Sequence, residues 1–341
     1  MTRLLARYAD CVFWLARYVE RAENLARILD VQETFARDSR GSSDWQLILE
    51  INADKERFAA TGAEPTSRAV LQFYVIDRGN PTSLISNIYM ARENARALRP
   101  LISTEMWVQL NVFYNRVAAL RPEEVSAERL SRVCAMVKEG CDTHAGITTG
   151  TFYQDEAWSF YRLGAAIECA DQTTRLLDAK FLGLRERDHA EPGSAADVSY
   201  WTALLRSAAG YQAFRRRYPR GTAPSQLVSF LVCDPCFPRS VAYNVGVITD
   251  ELTRLRRHYR LKAAAKALER LDKLTAGLEV RQVERIMTDG EVHQLTDWVQ
   301  RYMAELTALI VASFFGHEAP RPRPPRREPA APAAARTPAA R

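Results

Sequence analysis

The sequence predicts an all-α protein, a multi-helix bundle of about a dozen helices, on three observations. Apolar residues recur at helical spacing over long stretches. Of 16 Pro in the chain, seven crowd between Pro320 and Pro338, and only 15 Gly occur, so the preceding residues lack the punctuation that strands and turns need. Between the periodic stretches stand Ser, Asp or Asn residues placed to accept the first free N–H groups of a helix.

Leu4, Tyr8, Cys11, Val12, Leu15, Tyr18, Val19, Ala22, Leu25 and Leu29 mark one helix from Leu4 to Asp38. Its face Trp14, Tyr18, Ala22, Leu25 and Leu29 reads as the buried one. Arg40 to Asp44 ends it, and Asp44 is placed to cap a helix from Trp45 to about Ala60. A loop through Gly62 and Pro65 leads to a short helix before Gly79. Asn80-Pro81-Thr82-Ser83 reads as a helix start, because Asn supplies an acceptor and Pro has no N–H to satisfy. That helix runs to about Arg99, where Pro100 disfavours continuation. Ser103 caps a helix through Leu120, and Pro122 or Ser126 opens the next toward His144. Gly146-Ile-Thr-Thr-Gly150 reads as a loop, and Asp155 caps a long helix to about Leu182. The polar segment from Gly183 to Asp197, with Pro192-Gly193, reads as the internal linker. Helices follow at about Asp197 to Tyr218, Pro224 to Val232, Arg239 to Tyr259, Leu261 to Ala276 and Glu291 to Phe315, with a shorter one near Val280 to Met287. Short connections favour antiparallel neighbours.

One helical domain is expected over residues 1–316, followed by a Pro-, Ala- and Arg-rich tail, 317–341, too poor in apolar residues to order itself. Candidate halves, 1–150 and 151–316, come from an echo between the two longest helices. Aligning Glu20 with Glu168 also matches Glu23 with Asp171, Arg27 with Arg175, and Leu29-Asp30 with Leu177-Asp178.

The formal charge is +6, but the tail holds six Arg against Glu318 and Glu328. The remainder is too weakly basic to argue for a phosphate-backbone binder, so no nucleic acid is expected. The start of the chain interrupts its apolar residues with charges, and the nearly apolar run Leu306 to Phe315 is too short to span a bilayer. The expectations are a cytoplasmic location, no membrane contact, and six reduced cysteines. Cys233-Asp-Pro-Cys236 with Cys141 and His144 is a weak zinc pattern, and Glu186-Arg-Asp-His189 falls in the linker where a di-iron bundle would need a helix. Neither a metal nor a cofactor is expected. No phosphate-binding loop, dinucleotide fingerprint or nucleophile elbow occurs, which leans the reading away from an enzyme without deciding it.

Trp14-Leu-Ala-Arg-Tyr-Val-Glu-Arg-Ala-Glu-Asn-Leu-Ala-Arg27 resembles the signature of the Alpha-E family, an α-helical domain with a Glu-Arg motif. The resemblance continues in order through Asn80-Pro81, Ala91-Arg-Glu-Asn-Ala-Arg96, Glu105-Met-Trp107, Asp155-Glu-Ala-Trp158, Leu163-Gly164 and Phe237-Pro-Arg-Ser240, from about Met1 to Phe315. Where the family's second copy reads Glu-Arg, this chain has Glu168-Cys169, which puts a second Glu-Arg pair in doubt.

Arg17, Glu20, Asn24 and Arg27 are spaced to share one helix face, with Arg21 and Glu23 beside them. Arg92, Glu93, Asn94 and Arg96 repeat that chemistry on a second helix, and Glu168, Asp171 and Arg175 on a third. The expectation is that all three sets meet in one polar seam, either a structural network or a site for a carboxylate or peptide. Asp155, Arg239 and Ser240 are secondary candidates. The resemblance further implies partners, a circularly permuted ATP-grasp ligase and a transglutaminase-like peptidase. The function expected on that basis is a non-catalytic accessory or binding protein of peptide or amide-bond synthesis or modification. The alternative is an enzyme or an anion- or peptide-binding protein using the Arg/Glu/Asn seam.

Overall fold

The computed structural model describes residues 4–38, 45–185, 195–219, 223–278, 283 and 289–316. Among the described residues the chain is all-helical, with fourteen α-helices and no strand. The expected Asp44 cap, the helix near 280–287, Glu186 to His189 and the tail lie outside the described residues.

The first seven helices are α1 Ala6–Asp38, α2 Gln46–Ile51, α3 Lys55–Ala59, α4 Ser67–Val75, α5 Leu84–Ala97, α6 Thr104–Ala118 and α7 Leu130–Thr151. The second seven are α8 Glu156–Arg185, α9 Ala195–Ser207, α10 Tyr211–Arg217, α11 Pro224–Cys233, α12 Val241–Arg257, α13 Ala264–Gly277 and α14 Asp289–Ile310. A π-turn, Val311–Phe315, closes α14.

The long helices α1 and α8 pack on each other at the centre. Helices α5, α6 and α7 follow one another around α1, and α12, α13 and α14 do the same around α8. Helix α2 crosses over to pack on α8, and α9 crosses to pack on α1. The helices around α1 and those around α8 are therefore arranged in the same order. Lys138 of α7 pairs with Asp30 of α1 at 2.6 Å, and His293 of α14 meets Asp178 of α8 at 2.7 Å in the equivalent place.

Central placement explains why α1 lacks one apolar stripe. Val12, Phe13, Leu15, Ala16, Val19, Ala22, Leu25, Ala26, Ile28 and Leu29 are buried around most of its circumference. Trp14 and Tyr18, expected on the core face, are only half-buried. The α1–α8 contact depends on Gly164, where an added Cβ would sit 2.2 Å from the Phe13 carbonyl oxygen.

The structure corrects four boundaries. The expected single helices from Trp45 and from Asp197 are each broken in two, because Ala53 and Ala209 adopt the left-handed conformation at φ 53. Asp54 N then bonds Leu49 O at 2.8 Å and Gly210 N bonds Leu205 O at 2.7 Å, closing each helix in a Schellman turn. Gly146 to Gly150 is helix rather than loop, since Cys141, His144 and Thr148 keep one face of α7 buried through it. Ser83, and not Asn80, caps α5, its Oγ accepting from Ser86 N at 3.2 Å. Asn80 instead ties the preceding turn, donating to Phe73 O at 3.0 Å and accepting from Thr82 N at 3.0 Å. Ser103 caps α6 as expected.

Two predictions follow from this packing. Gly164→Ala should lower stability by about 1–3 kcal/mol, because overpacking against backbone outweighs the gain in helix propensity. Urea unfolding measures it, and an unchanged midpoint would show that α1 and α8 do not cross this closely. The second concerns His144, fully buried, whose pKa burial pushes down to about 4. The unfolded chain takes up a proton near pH 6.5 while the folded one refuses it. The stability present above pH 6.5 is therefore lost as pH falls toward about 4, by as much as ~3 kcal/mol. His144→Gln should flatten that stretch of the profile, and a wild-type midpoint constant between pH 7 and 5 would contradict the assignment.

Candidate functional site

Because α1 lies at the centre, its charged stripe is buried and finds its partners across the bundle. Glu168 of α8 has no exposed surface. Arg17 Nε donates to its Oε2 at 2.8 Å, Arg21 Nε to its Oε1 at 2.6 Å, and Gln172 Nε2 also to Oε1 at 3.1 Å. Arg17 Nη1 reaches Thr307 Oγ1 of α14 at 2.9 Å, and that hydroxyl donates back to Met303 O. One carboxylate thus serves two guanidinium groups and joins three helices. Burial alone would push Glu168 up, but the charges of Arg21 and Arg17 outweigh it and hold the carboxyl well below the usual range. Burial lowers Arg17, with Glu168 opposing.

A second knot adjoins the first along the charged face of α1. Arg239, in the turn before α12, donates through Nη1 to Glu20 Oε1 at 3.0 Å and to Asn24 Oδ1 at 2.7 Å, and through Nη2 to Glu23. Asn24 Nδ2 braces Glu20 at 2.9 Å and Arg27 Nε holds Glu23 at 2.8 Å. Burial raises the Glu20 carboxyl, partly offset by Arg239. Burial would weaken the charge of Arg239, but Glu20 and Glu23 outweigh that and raise its pKa.

The expected seam is therefore two knots, and not every expected residue joins them. Asp171 pairs with Arg175 at 2.8 Å along α8, in the register that Glu23 and Arg27 use on α1. Arg92, Glu93, Asn94 and Arg96 lie elsewhere: Arg92 bonds Asn111 of α6 at 2.7 Å and packs over Trp107 and Tyr114, Glu93 pairs with Arg92 and Arg96, and Asn94 bonds Met90 O. Their charged face meets α6 rather than α1 and α8. Asp155 accepts from Ala157 N at the start of α8, and Ser240 caps α12. Both are structural in these contacts.

A cleft of about 590 Å³ opens over the first knot. Arg17, Arg21, Arg57, Arg78 and Arg175 line it against Glu168 and Asp171, with Thr82 and Ser86 at one end and Trp14, Tyr18, Tyr89 and Met90 as walls. Arg57 is matched by Asp54, which also accepts from Tyr74 and Thr82. Arg78 hydrogen-bonds the uncharged hydroxyl of Tyr114 at 3.2 Å. Among the described residues Arg21 hydrogen-bonds through Nε alone, which leaves its terminal amino groups to meet an incoming group. Sequence reasoning missed Gln172, Thr307, Arg57, Arg78 and Thr82. Only Gln172 carried a signal, standing where the echo between the long helices puts Asn24.

None of the six cysteines is in a disulfide; Cys233 is buried and Cys236 exposed. Cys141 and His144 are committed within the core, Cys141 to Val19 O and His144 to Thr148. Among the described residues no group of three or more His, Cys, Asp or Glu is placed to hold a metal ion. No described helix is long and apolar enough to cross a membrane.

Glu168→Gln should cost about 3–5 kcal/mol, since it leaves the buried guanidinium group of Arg17 and the half-buried one of Arg21 without their counter-charge. Denaturant unfolding of the variant beside Asp171→Asn, which breaks a more exposed pair, measures this. Equal, small losses would mean that the knot contributes no more than a surface ion pair.

The chain is 24% identical over 327 residues to an uncharacterised protein of Mycobacterium bovis and to two of Mycobacterium tuberculosis. The matches cover 90% of this chain and 35% of each relative, so the chain spans about a third of the length of these proteins. No solved structure matches it. Residues 4–315 match the Alpha-E family, described as a predicted alpha-helical domain with a conserved ER motif. Together with the Glu20-Arg21 pair that takes one residue into each buried knot, the match assigns this chain to the Alpha-E family.

Proposed function

We propose that the chain is a non-catalytic helical binding component that holds an anionic group, a carboxylate or phosphate, against Arg17 and Arg21. We place it in a peptide or amide-bond synthesis or modification system with an ATP-grasp-type ligase and a transglutaminase-like peptidase. The observation that carries the binding role is the shortage of negative charge at the floor of the cleft, where Glu168 alone is hydrogen-bonded to the buried guanidinium group of Arg17 and the half-buried one of Arg21. A buried cation without full compensation favours an incoming anion, and arginine's planar fork suits carboxylate and phosphate. The cleft has the size of an ordinary small-ligand site.

Glu168 is poorly suited to moving protons, since it stays ionised far below neutrality and both its oxygens are engaged. A second reading, acid–base chemistry, draws on Glu20, whose carboxyl is raised by burial. That group is clamped by Asn24 and Arg239 and lines a separate cavity of about 220 Å³. Glu20→Gln should leave anion binding in the larger cleft unchanged; a loss of binding would move the site to the second knot.

Isothermal titration of the full chain with N-acetylalanine and with inorganic phosphate tests the anion role. Binding should weaken with added salt, and Arg21→Gln should weaken it about tenfold, ~1.4 kcal/mol. No heat of binding at millimolar ligand, or equal binding by Arg21→Gln, would reject the site. Direct association with the purified ligase and peptidase tests the placement separately. Its absence would remove the system and leave the anion site standing.

A further inference from the structure

The two halves build two clefts from equivalent positions. In the turn before α5, Asp77 Oδ1 accepts from Gly79 N at 2.8 Å and Ser83 Oγ donates to Asp77 O. In the turn before α12, Asp234 Oδ1 accepts from Cys236 N at 2.8 Å and Ser240 Oγ donates to Asp234 O. Asn87 bonds back to Ser83 O at 2.8 Å, and Asn244 to Ser240 O at 2.7 Å. With the turns and the long helices in register, Thr82 and Ser86 of the first cleft correspond to Arg239 and Tyr243 of the second. Arg17 and Arg21, which face Glu168, correspond to Ala165 and Cys169, which lie beside Glu20.

The two clefts differ in size and in charge. In the second, the large turn residues leave about 220 Å³, and the knot is balanced, Glu20 and Glu23 against Arg27 and Arg239. In the first, Glu168 and Asp171 face three guanidinium groups, those of Arg17, Arg21 and Arg175. That leaves one positive charge at the floor. Arg78 at the rim adds another, its hydrogen bond going to the neutral Tyr114 hydroxyl. Tyr89 leans on that same Tyr114, with ring centroids 5.8 Å apart, and with Met90 gives the wall an apolar surface.

We infer that the open cleft takes an organic dianion, two anionic groups joined by an apolar stretch, as at the acidic end of a peptide. One group meets Arg17 and Arg21 and the other meets Arg78. This rests on the anion-binding role proposed above and specifies its ligand. A bare phosphate would satisfy the floor but make no use of the apolar wall or the rim.

Isothermal titration of the full chain with N-acetyl-Leu-Glu, N-acetyl-Leu-Gln and inorganic phosphate tests it. The glutamate dipeptide, carrying two carboxylates, should bind at least about tenfold more tightly than its one-carboxylate glutamine counterpart, ~1.4 kcal/mol. Arg78→Gln, at an exposed position, should keep the wild-type melting temperature and erase that preference. Equal binding of the two dipeptides by the wild type, or a preference that survives in Arg78→Gln, would overturn the dianion and leave the anion site intact. Phosphate binding as tightly as the glutamate dipeptide would likewise overturn it. Failure of all three ligands to bind would overturn both readings.

Discussion

Glu168 is the group on which the centre of the molecule depends. Its two oxygens hold Arg17 and Arg21 of α1, and through Arg17 they reach Thr307 of α14. Removing two guanidinium groups from water is strongly unfavourable, and a lone carboxylate returns that energy only if its geometry is fixed. The packing supplies the fixity. Gly164, one turn before Glu168 on α8, lets the backbone of α1 come close enough for short hydrogen bonds, and Gln172, one turn after, braces the carboxylate. Apolar burial and the ion cluster are therefore coupled. The close approach that the core requires brings the charges together, and the charges restrict α1 and α8 to the register in which they pair.

The same coupling separates what could be read in the sequence from what could not. Helices were legible because periodicity and caps are local, as Ser83 and Ser103 show, although Ser83 was hidden behind the Asn80-Pro81 dipeptide. The breaks at Ala53 and Ala209 were not legible. Alanine gives no sign of a left-handed residue, since its local preference is for the helix itself. Gly146 and Gly150 misled in the opposite direction, since a buried face carried α7 through them.

Arg17, Arg21 and Glu168 were visible as a spaced pattern on two helices, and the family resemblance directed attention to them. Arg92 and its neighbours looked alike in sequence, because spacing reports which residues share a face and not which helix that face meets. Arg239 was undervalued for a related reason: its partners Glu20, Glu23 and Asn24 lie more than two hundred positions away, and nothing in Pro238-Arg239-Ser240 announces them. Arg78 and Thr82 sit in a turn where sequence shows only loop chemistry, and their role exists only once the cleft does.

The two knots, taken together, explain how one half can stay open. An Arg-rich cleft left unfilled would tend to collapse or to draw its arginines toward solvent. Here the floor is held from beside, since Arg239 ties the adjoining charged residues of α1 to the turn before α12 through Glu20, Glu23 and Asn24. Helix α1 is thus fixed between a balanced knot and an unbalanced one. An anion bound as proposed would meet Arg17 and Arg21 already oriented by Glu168, so its binding would not have to pay for ordering those side chains, which otherwise offsets much of the gain from a charged contact. The asymmetry between Arg239 and Thr82 does two things at once: the filled half provides the rigidity, and the open half provides the surplus charge. A second open cleft would have left α1 with two uncompensated knots, without the neutral one that keeps its position.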